Sequence, residues 1–412
     1  MQKKLVALSI IFTVAFAGCQ TQSSRQKLFD EVNEIHKSIL TIDSHSDTPM
    51  WFMSEDYDFS KRHNPQTSSN KIDLPRMDEG GLDGVFLAAF LGQGSLDKKS
   101  TDQVFEKANR IIDSIYVTAR RNYQKAEVAF TPEDAYQLKN KNKKALYIGL
   151  ENGYPLGKSL SRVQHFYDRG VRYITLCHTS NNQICDSSTD TTKYNGLSEF
   201  GAGVVREMND LGIMVDVSHI SDASFYDVLD VTNTPVIASH SNARAVCDHP
   251  RNMTDKMLKA LADNGGVIQV CVLSDYVKKT PVNPARDSAY KALRKKYNGF
   301  RDMTKEQERN ARKEWRRINR EYPQNLANVE DLVDHIDHIK KVAGIDHVGI
   351  GSDFDGGGAL EGVYDVSEFK NITAELLKRG YSHQEIKKIW GGNLMRVFTE
   401  VIENTEPESI AS

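Results

Sequence analysis

His45 and Asp47 stand two residues apart in His45-Ser46-Asp47, and on an extended chain such a pair points to one side, so both can reach a single ion. Asp216-Val217-Ser218-His219 and Ile237-Ala238-Ser239-His240 each deliver a histidine one serine past an apolar run, twenty-one residues apart. Glu151 closes Tyr147-Ile148-Gly149-Leu150-Glu151, and Asp353 follows Val348-Gly349-Ile350-Gly351-Ser352, where glycines let backbone and ligand approach closely. Each is ordinary by itself: an HxD pair is more often a solvated loop, and a histidine after a strand is more often a satisfied core residue. Together they supply three imidazoles and three carboxylates, the nitrogen and oxygen set that suits Zn²⁺ or a similar divalent ion.

Short β-branched, apolar runs position these groups. Eight are expected as strands: Leu40–Asp43, Gly84–Leu91, Ala145–Leu150, Val171–Cys177, Ile213–Val217, Pro235–Ser239, Val267–Val272 and His347–Gly351. Helical patterns fill the intervals. Val104, Ala108, Ile111, Ile112 and Ile115 recur at helical spacing within Thr101–Arg120, and Val329, Leu332, Val333, Ile336, Ile339 and Val342 form another apolar stripe. Eight strands alternating with helices predict an α/β fold of the (β/α)₈ TIM-barrel type rather than an open doubly wound sheet. Such barrels place chemistry at the C-terminal ends of their strands, where all six groups fall.

The chain has 412 residues, 39% hydrophobic and 26% charged, which excludes a mostly disordered protein. Fifty-three Lys and Arg against 56 Asp and Glu give a net charge of −3, so nothing global favours nucleic acid or an anionic membrane surface. The expected partner is a small molecule. One stretch breaks the pattern: residues 286–320 hold thirteen Lys/Arg against five Asp/Glu, among Tyr290, Tyr297, Phe300 and Trp315. We read 278–324 as a basic helical insertion before the last strand, a solvated face or a lid, with Thr304-Lys305-Glu306-Gln307 as a capping box and Pro323 as the stop.

The finer pattern is specific. Asp43-Ser44-His45-Ser46-Asp47, a glutamate on the third strand, Asp216-Val217-Ser218-His219, Ser239-His240-Ser241, Arg251-Asn252 and Gly351-Ser352-Asp353-Phe354-Asp355-Gly356 resemble the membrane (renal) dipeptidase family of the amidohydrolase superfamily, from about Ile35 to Val401. The resemblance implies two Zn²⁺ ions bridged by Glu151, with His45 and Asp47 completing one site and His219 and His240 the other. It implies that His178 contacts the substrate carbonyl, that Arg251 and Tyr276 hold the terminal carboxylate, and that Asp353 serves as general base and then acid toward a metal-bridging hydroxide. A dipeptide is the implied substrate; another amide, a lactam or an ester is the competing one. A surface lipoprotein that binds without catalysis is the reading outside enzymes, and no missing ligand favours it. A homodimer is compatible.

At the N-terminus, Lys3 and Lys4 precede the apolar run Leu5–Phe16, which is shorter than the roughly 20 residues of a bilayer span. Phe16-Ala17-Gly18-Cys19 resembles a bacterial lipobox, which makes 1–18 a signal peptide, Cys19 the lipidated residue, 19–34 anchor and tether, 35–402 the barrel and 403–412 a tail; a plain secretory signal cut near Ala17 is the competing reading. The expected location is the cell envelope, with the membrane engaged through lipid alone. The remaining cysteines, Cys177, Cys185, Cys247 and Cys271, form no CxxC pair and are expected as one disulfide or as buried thiols.

Overall fold

The computed structural model describes residues 25–405, apart from 55–56, 66–69 and 301–302. Among these residues nine strands lie in one sheet: β1 (Ile42–Ser46), β2 (Gly84–Phe90), β3 (Ala126–Val128), β4 (Lys144–Glu151), β5 (Val171–Thr175), β6 (Met214–Asp216), β7 (Ile237–Ser241), β8 (Val267–Cys271) and β9 (Val348–Gly351). Their order is β1-β2-β4-β5-β6-β7-β8-β9, the neighbours pair in parallel, and β3 adds to β4. The sheet curls into a nearly closed eight-strand barrel ringed by helices. Its seam is stitched at the mouth by the Asp353 N–H donating to the His45 carbonyl (3.0 Å) and the Asp47 N–H donating to the Phe354 carbonyl (2.8 Å).

Inside the barrel Phe86 stacks on Tyr147 with centroids 4.5 Å apart. Together with Tyr173, Met214 and Ile237 these rings pack against Val397, Phe398 and Val401 of the C-terminal helix Asn393–Glu403. A larger shell of Leu, Ile and Val fills the space between strands and outer helices. With one end plugged by the C-terminal helix, the opposite end is the place for polar groups.

Several expectations are corrected. β1 and β7 run two to three residues further than expected, so His45 and His240 lie within strands rather than after them. Polar residues that read as loop are buried and paired: the Ser44 hydroxyl donates to the Ser239 carbonyl (2.6 Å), and Ser239 Oγ to Asp216 Oδ2 (2.6 Å). Expected strand Val171–Cys177 stops at Thr175, leaving His178 on the following loop. The short β3 was not anticipated; three residues carry too little pattern. Residues 25–38 are helical with Val32 buried, so the folded body begins before residue 35.

The basic insertion is two helices, Pro284–Lys296 and Lys305–Glu321, around a small core of Leu293, Tyr297, Ala311 and Ile318. Thr304 and Gln307 form the capping box. Cys177, Cys185, Cys247 and Cys271 are buried free thiols. Cys19 and most of the tail lie outside the described residues. Among those described, no helix is long and apolar enough to cross a membrane.

Candidate metal centre

The strand ends carry the site. Glu151 is the last residue of β4, His45 and His240 face the mouth from β1 and β7, and His219 and Asp353 lie just past β6 and β9. His219 (φ 72°) and Asp353 (φ 55°) adopt the left-handed conformation, as do Asn152 and Asp355 on the same rim. Side chains with a Cβ seldom pay for that geometry unless surrounding contacts impose it, and such residues cluster at functional sites. Gly356 is obligatory for space: a Cβ there would lie 2.2 Å from Asp353 Oδ1 and 2.5 Å from Asp47 Oδ2.

All six groups named from the sequence converge. Oε1 of Glu151 lies 3.2 Å from His219 Nε2, 3.6 Å from His240 Nε2 and 3.7 Å from His178 Nε2, while Oε2 lies 3.6 Å from His45 Nε2. The His219 and His240 Nε2 atoms are 2.8 Å apart, and His45 Nε2 is 3.9 Å from Asp47 Oδ1. Three sets of three could each hold an ion: His45, Glu151 and His240; Glu151, His178 and His219; His45, Asp47 and Asp353. His178, assigned to substrate, thus stands among the ligand-type groups, and His240 shares a set with His45. The expected split into His45/Asp47 and His219/His240 is one of several partitions this cluster permits.

A second layer orients the first. His45 Nδ1 is 2.8 Å from the Tyr173 hydroxyl, and His240 Nδ1 is 2.8 Å from Ser239 Oγ. Asp216, fully buried, accepts from Thr175 Oγ1 (2.5 Å), Ser239 Oγ and the Ser218 and Ser239 amides, while Asp43 accepts from Ser352 Oγ (2.5 Å) and the His45 amide. Asp216 ties β6 to β5 and β7 beneath His219 and His240, and Asp43 ties β1 to the end of β9 beneath His45, the outer-shell support that fixes ligand orientation. Sequence reading missed Tyr173, and it quoted Asp43 and Asp216 without a role. Their signal was the spacing Asp-x-His and Asp-x-x-His. Cys271 Sγ, 3.9 Å from Asp353 Oδ2, gave no signal at all.

The electrostatics fit a cation. Burial, then neighbouring carboxylates, push Asp47 well above the usual range, and burial pushes Glu151 up to about 8. Burial also holds Asp353 well above its ordinary value, aided by Asp47 and Glu151. Burial, with Arg251 nearby, drives His219 and His240 well down and His178 to about 3. The protein alone therefore disfavours charge on every one of these groups, and a divalent ion favours the deprotonated forms that ligate. His45 Nε2, Asp47 Oδ1, Glu151 Oε2 and His219 Nδ1 are buried without a hydrogen-bond partner among the described residues. Such orphaned atoms are costly unless something absent from the chain satisfies them.

Beside this cluster Arg251 is 3% exposed. Its Nη2 donates to the His240 carbonyl (3.1 Å), its Nε has no partner among the described residues, and its guanidinium lies 5.3 Å from the Tyr276 ring centroid. Burial raises the Tyr276 hydroxyl to about 12. Among the described residues Arg251 makes no ion pair, which suits a fork-shaped carboxylate partner from outside the chain. Within this neighbourhood His178 keeps 22% side-chain exposure, open toward an entering ligand.

Comparison with known proteins bears on this geometry. Residues 29–411 match the family described as membrane dipeptidase, peptidase family M19. Dipeptidase tcpJ of Claviceps purpurea (strain 20.1) is 32% identical over 368 residues, which covers 87% of this chain and 76% of that protein. Dipeptidase 3 of Homo sapiens is 32% identical over 382 residues, covering 91% of this chain and 67% of that one. Among solved structures, the probable dipeptidase PvdM from Pseudomonas aeruginosa matches with a TM-score of 0.79 at 31% identity, over 92% of this chain and 100% of that one.

Proposed function

This chain belongs to the membrane dipeptidase family, peptidase family M19, and as a metal-dependent dipeptidase of that family it acts, we propose, on dipeptides through two zinc ions held by His45, Asp47, Glu151, His219 and His240. The observation that carries this reading is the carboxylate of Glu151, whose Oε1 faces His219, His240 and His178 while Oε2 faces His45. A carboxylate flanked on both oxygens by imidazoles suits a bridge between two cations. Two such ions, when bound, lower the pKa of water and polarise the scissile carbonyl.

The chain's own residues complete the reaction. Asp353, buried and held at a raised pKa, takes the proton of the attacking water and returns it to the departing amine, a base and acid in turn. His178 is neutral at pH 7, since burial lowers it to about 3. It donates a hydrogen bond to the carbonyl oxygen as negative charge develops there. Arg251 and Tyr276 hold the substrate's terminal carboxylate, which in a dipeptide lies one residue past its only peptide bond. The competing reading, another amide, a lactam or an ester, fits only where that substrate also carries a carboxylate for the buried guanidinium of Arg251.

We also place the protein in the cell envelope, exported by 1–18 and anchored through lipid on Cys19. Assay of the purified protein on a dipeptide panel, before and after chelation and with Zn²⁺ restored, tests the catalytic reading. Hydrolysis that survives complete chelation would overturn it.

A further inference from the structure

We propose that the 278–324 insertion selects dipeptides bearing an acidic side chain, by holding positive charge at the rim of the barrel mouth. This rests on the dipeptidase reading and adds a substrate class to it.

The insertion leaves the barrel directly after the short helix Ser274–Val277, which carries Tyr276. Its return is fastened beside its exit: Gln324 Nε2 donates to Asp275 Oδ1 (3.3 Å), Arg286 Nη1 to the Tyr322 carbonyl (2.7 Å) and the Ala327 amide to Ser274 Oγ (2.8 Å). From that base the helix Lys305–Glu321 reaches the far side, where the Arg312 guanidinium lies 5.2 Å from the Trp51 ring centroid. Trp51 belongs to the helix Pro49–Phe52, immediately after Asp47. The insertion thus links the rim above β8 to the rim above β1, the strands flanking β9, which delivers Asp353.

Charge follows. Residues 286–320 hold thirteen Lys/Arg and five Asp/Glu in a chain whose net charge is −3. Lys296 pairs with Glu314 (2.5 Å), and Arg317 lies 3.8 Å from Glu321 just beyond the segment, which still leaves the segment net positive. Arg309, Lys313 and Arg317 are exposed and spaced at i, i+4 and i+8, a continuous stripe on the helix that meets Trp51. On the opposing rim Met50 and Met53 are exposed and uncharged, and Asp58 is paired with Lys61 (3.2 Å). A rim whose net charge is positive raises the local concentration of an oppositely charged ligand, and salt weakens the effect. A zwitterionic dipeptide is net neutral, so a side-chain carboxylate is what such a field distinguishes.

The experiment compares kcat/KM for acid and amide pairs, Asp-Ala against Asn-Ala and Ala-Glu against Ala-Gln, at low and high ionic strength. It uses the full metal-loaded enzyme and the triple variant Arg309→Gln/Lys313→Gln/Arg317→Gln. We expect the acidic member to be favoured about ten-fold at low salt, approaching parity near 1 M where screening is nearly complete. The triple variant should lose that preference while keeping kcat on the amide members, and an Arg309→Lys/Arg317→Lys control should retain it. An acid-to-amide ratio that is the same in wild type and triple variant, or insensitive to salt, overturns the proposal. Cleavage of the amide members upholds the dipeptidase reading whatever the ratio; no cleavage of any member sinks both.

Discussion

The hydroxyl of Tyr173 lies 2.8 Å from Nδ1 of His45, although 128 residues separate them. With Nδ1 engaged, Nε2 is the ring atom left to face Glu151, 3.6 Å away. Room for this contact comes from Gly149, where a Cβ would lie 2.2 Å from the Tyr173 ring. A core aromatic therefore sets the aim of a candidate ligand.

Tyr173→Phe should keep the fold and weaken metal retention by about 10- to 100-fold, the usual effect of removing a supporting partner of a ligating histidine. Competition with a chelator of known affinity measures it. Unchanged retention would mean that His45 is held by packing alone.

Glu151→Gln should disturb both ions at once, whereas His45→Ala should chiefly empty one, because only the glutamate faces histidines on both oxygens. Elemental analysis after reconstitution with Zn²⁺ should give about two ions for wild type, which is the occupancy expected of a two-metal hydrolase. Equal losses in the two variants would contradict a bridging glutamate.

Arg251→Met should lose about 2–5 kcal/mol of transition-state stabilisation on dipeptides, the range for truncating one partner of a buried charge pair. The loss should be much smaller on C-terminally amidated dipeptides. Parallel losses in kcat/KM on both substrate types would make Arg251 structural.

Metal-free protein should become less stable as pH rises from about 6.5 to 8. In that window the unfolded Glu151 is already ionised, while burial keeps the folded group protonated up to about 8. The folded state binds the extra proton, so stability falls as pH climbs through the folded value. The lowered histidines act below this window, because their unfolded forms lose their protons near pH 6.5. Thermal melts should show the fall in chelated wild type and a smaller one in Glu151→Gln, and added Zn²⁺ should cancel it. A flat profile in chelated wild type would refute the assignment.

Fractionation of cells expressing wild type or Cys19→Ala tests the anchor. Wild type should partition with membranes and the variant should not; equal partitioning would place the anchor elsewhere.

The sequence by itself determined the strand-and-helix alternation, the barrel class and the six groups at its mouth. These are local facts: short apolar runs leading into His, Asp or Glu survive any register within the barrel. It also marked the insertion, whose capping box and charge are readable without a fold. Only the tertiary structure decided where the strands end, because Ser44 and Ser239 look like loop residues until their hydroxyls find carbonyl and carboxylate partners on neighbouring strands. It alone paired Tyr173 with His45, closed the seam through Asp353 and His45, and carried Arg312 across to Trp51. Those contacts join residues tens to hundreds of positions apart, and their geometry comes from barrel closure, which no local pattern encodes.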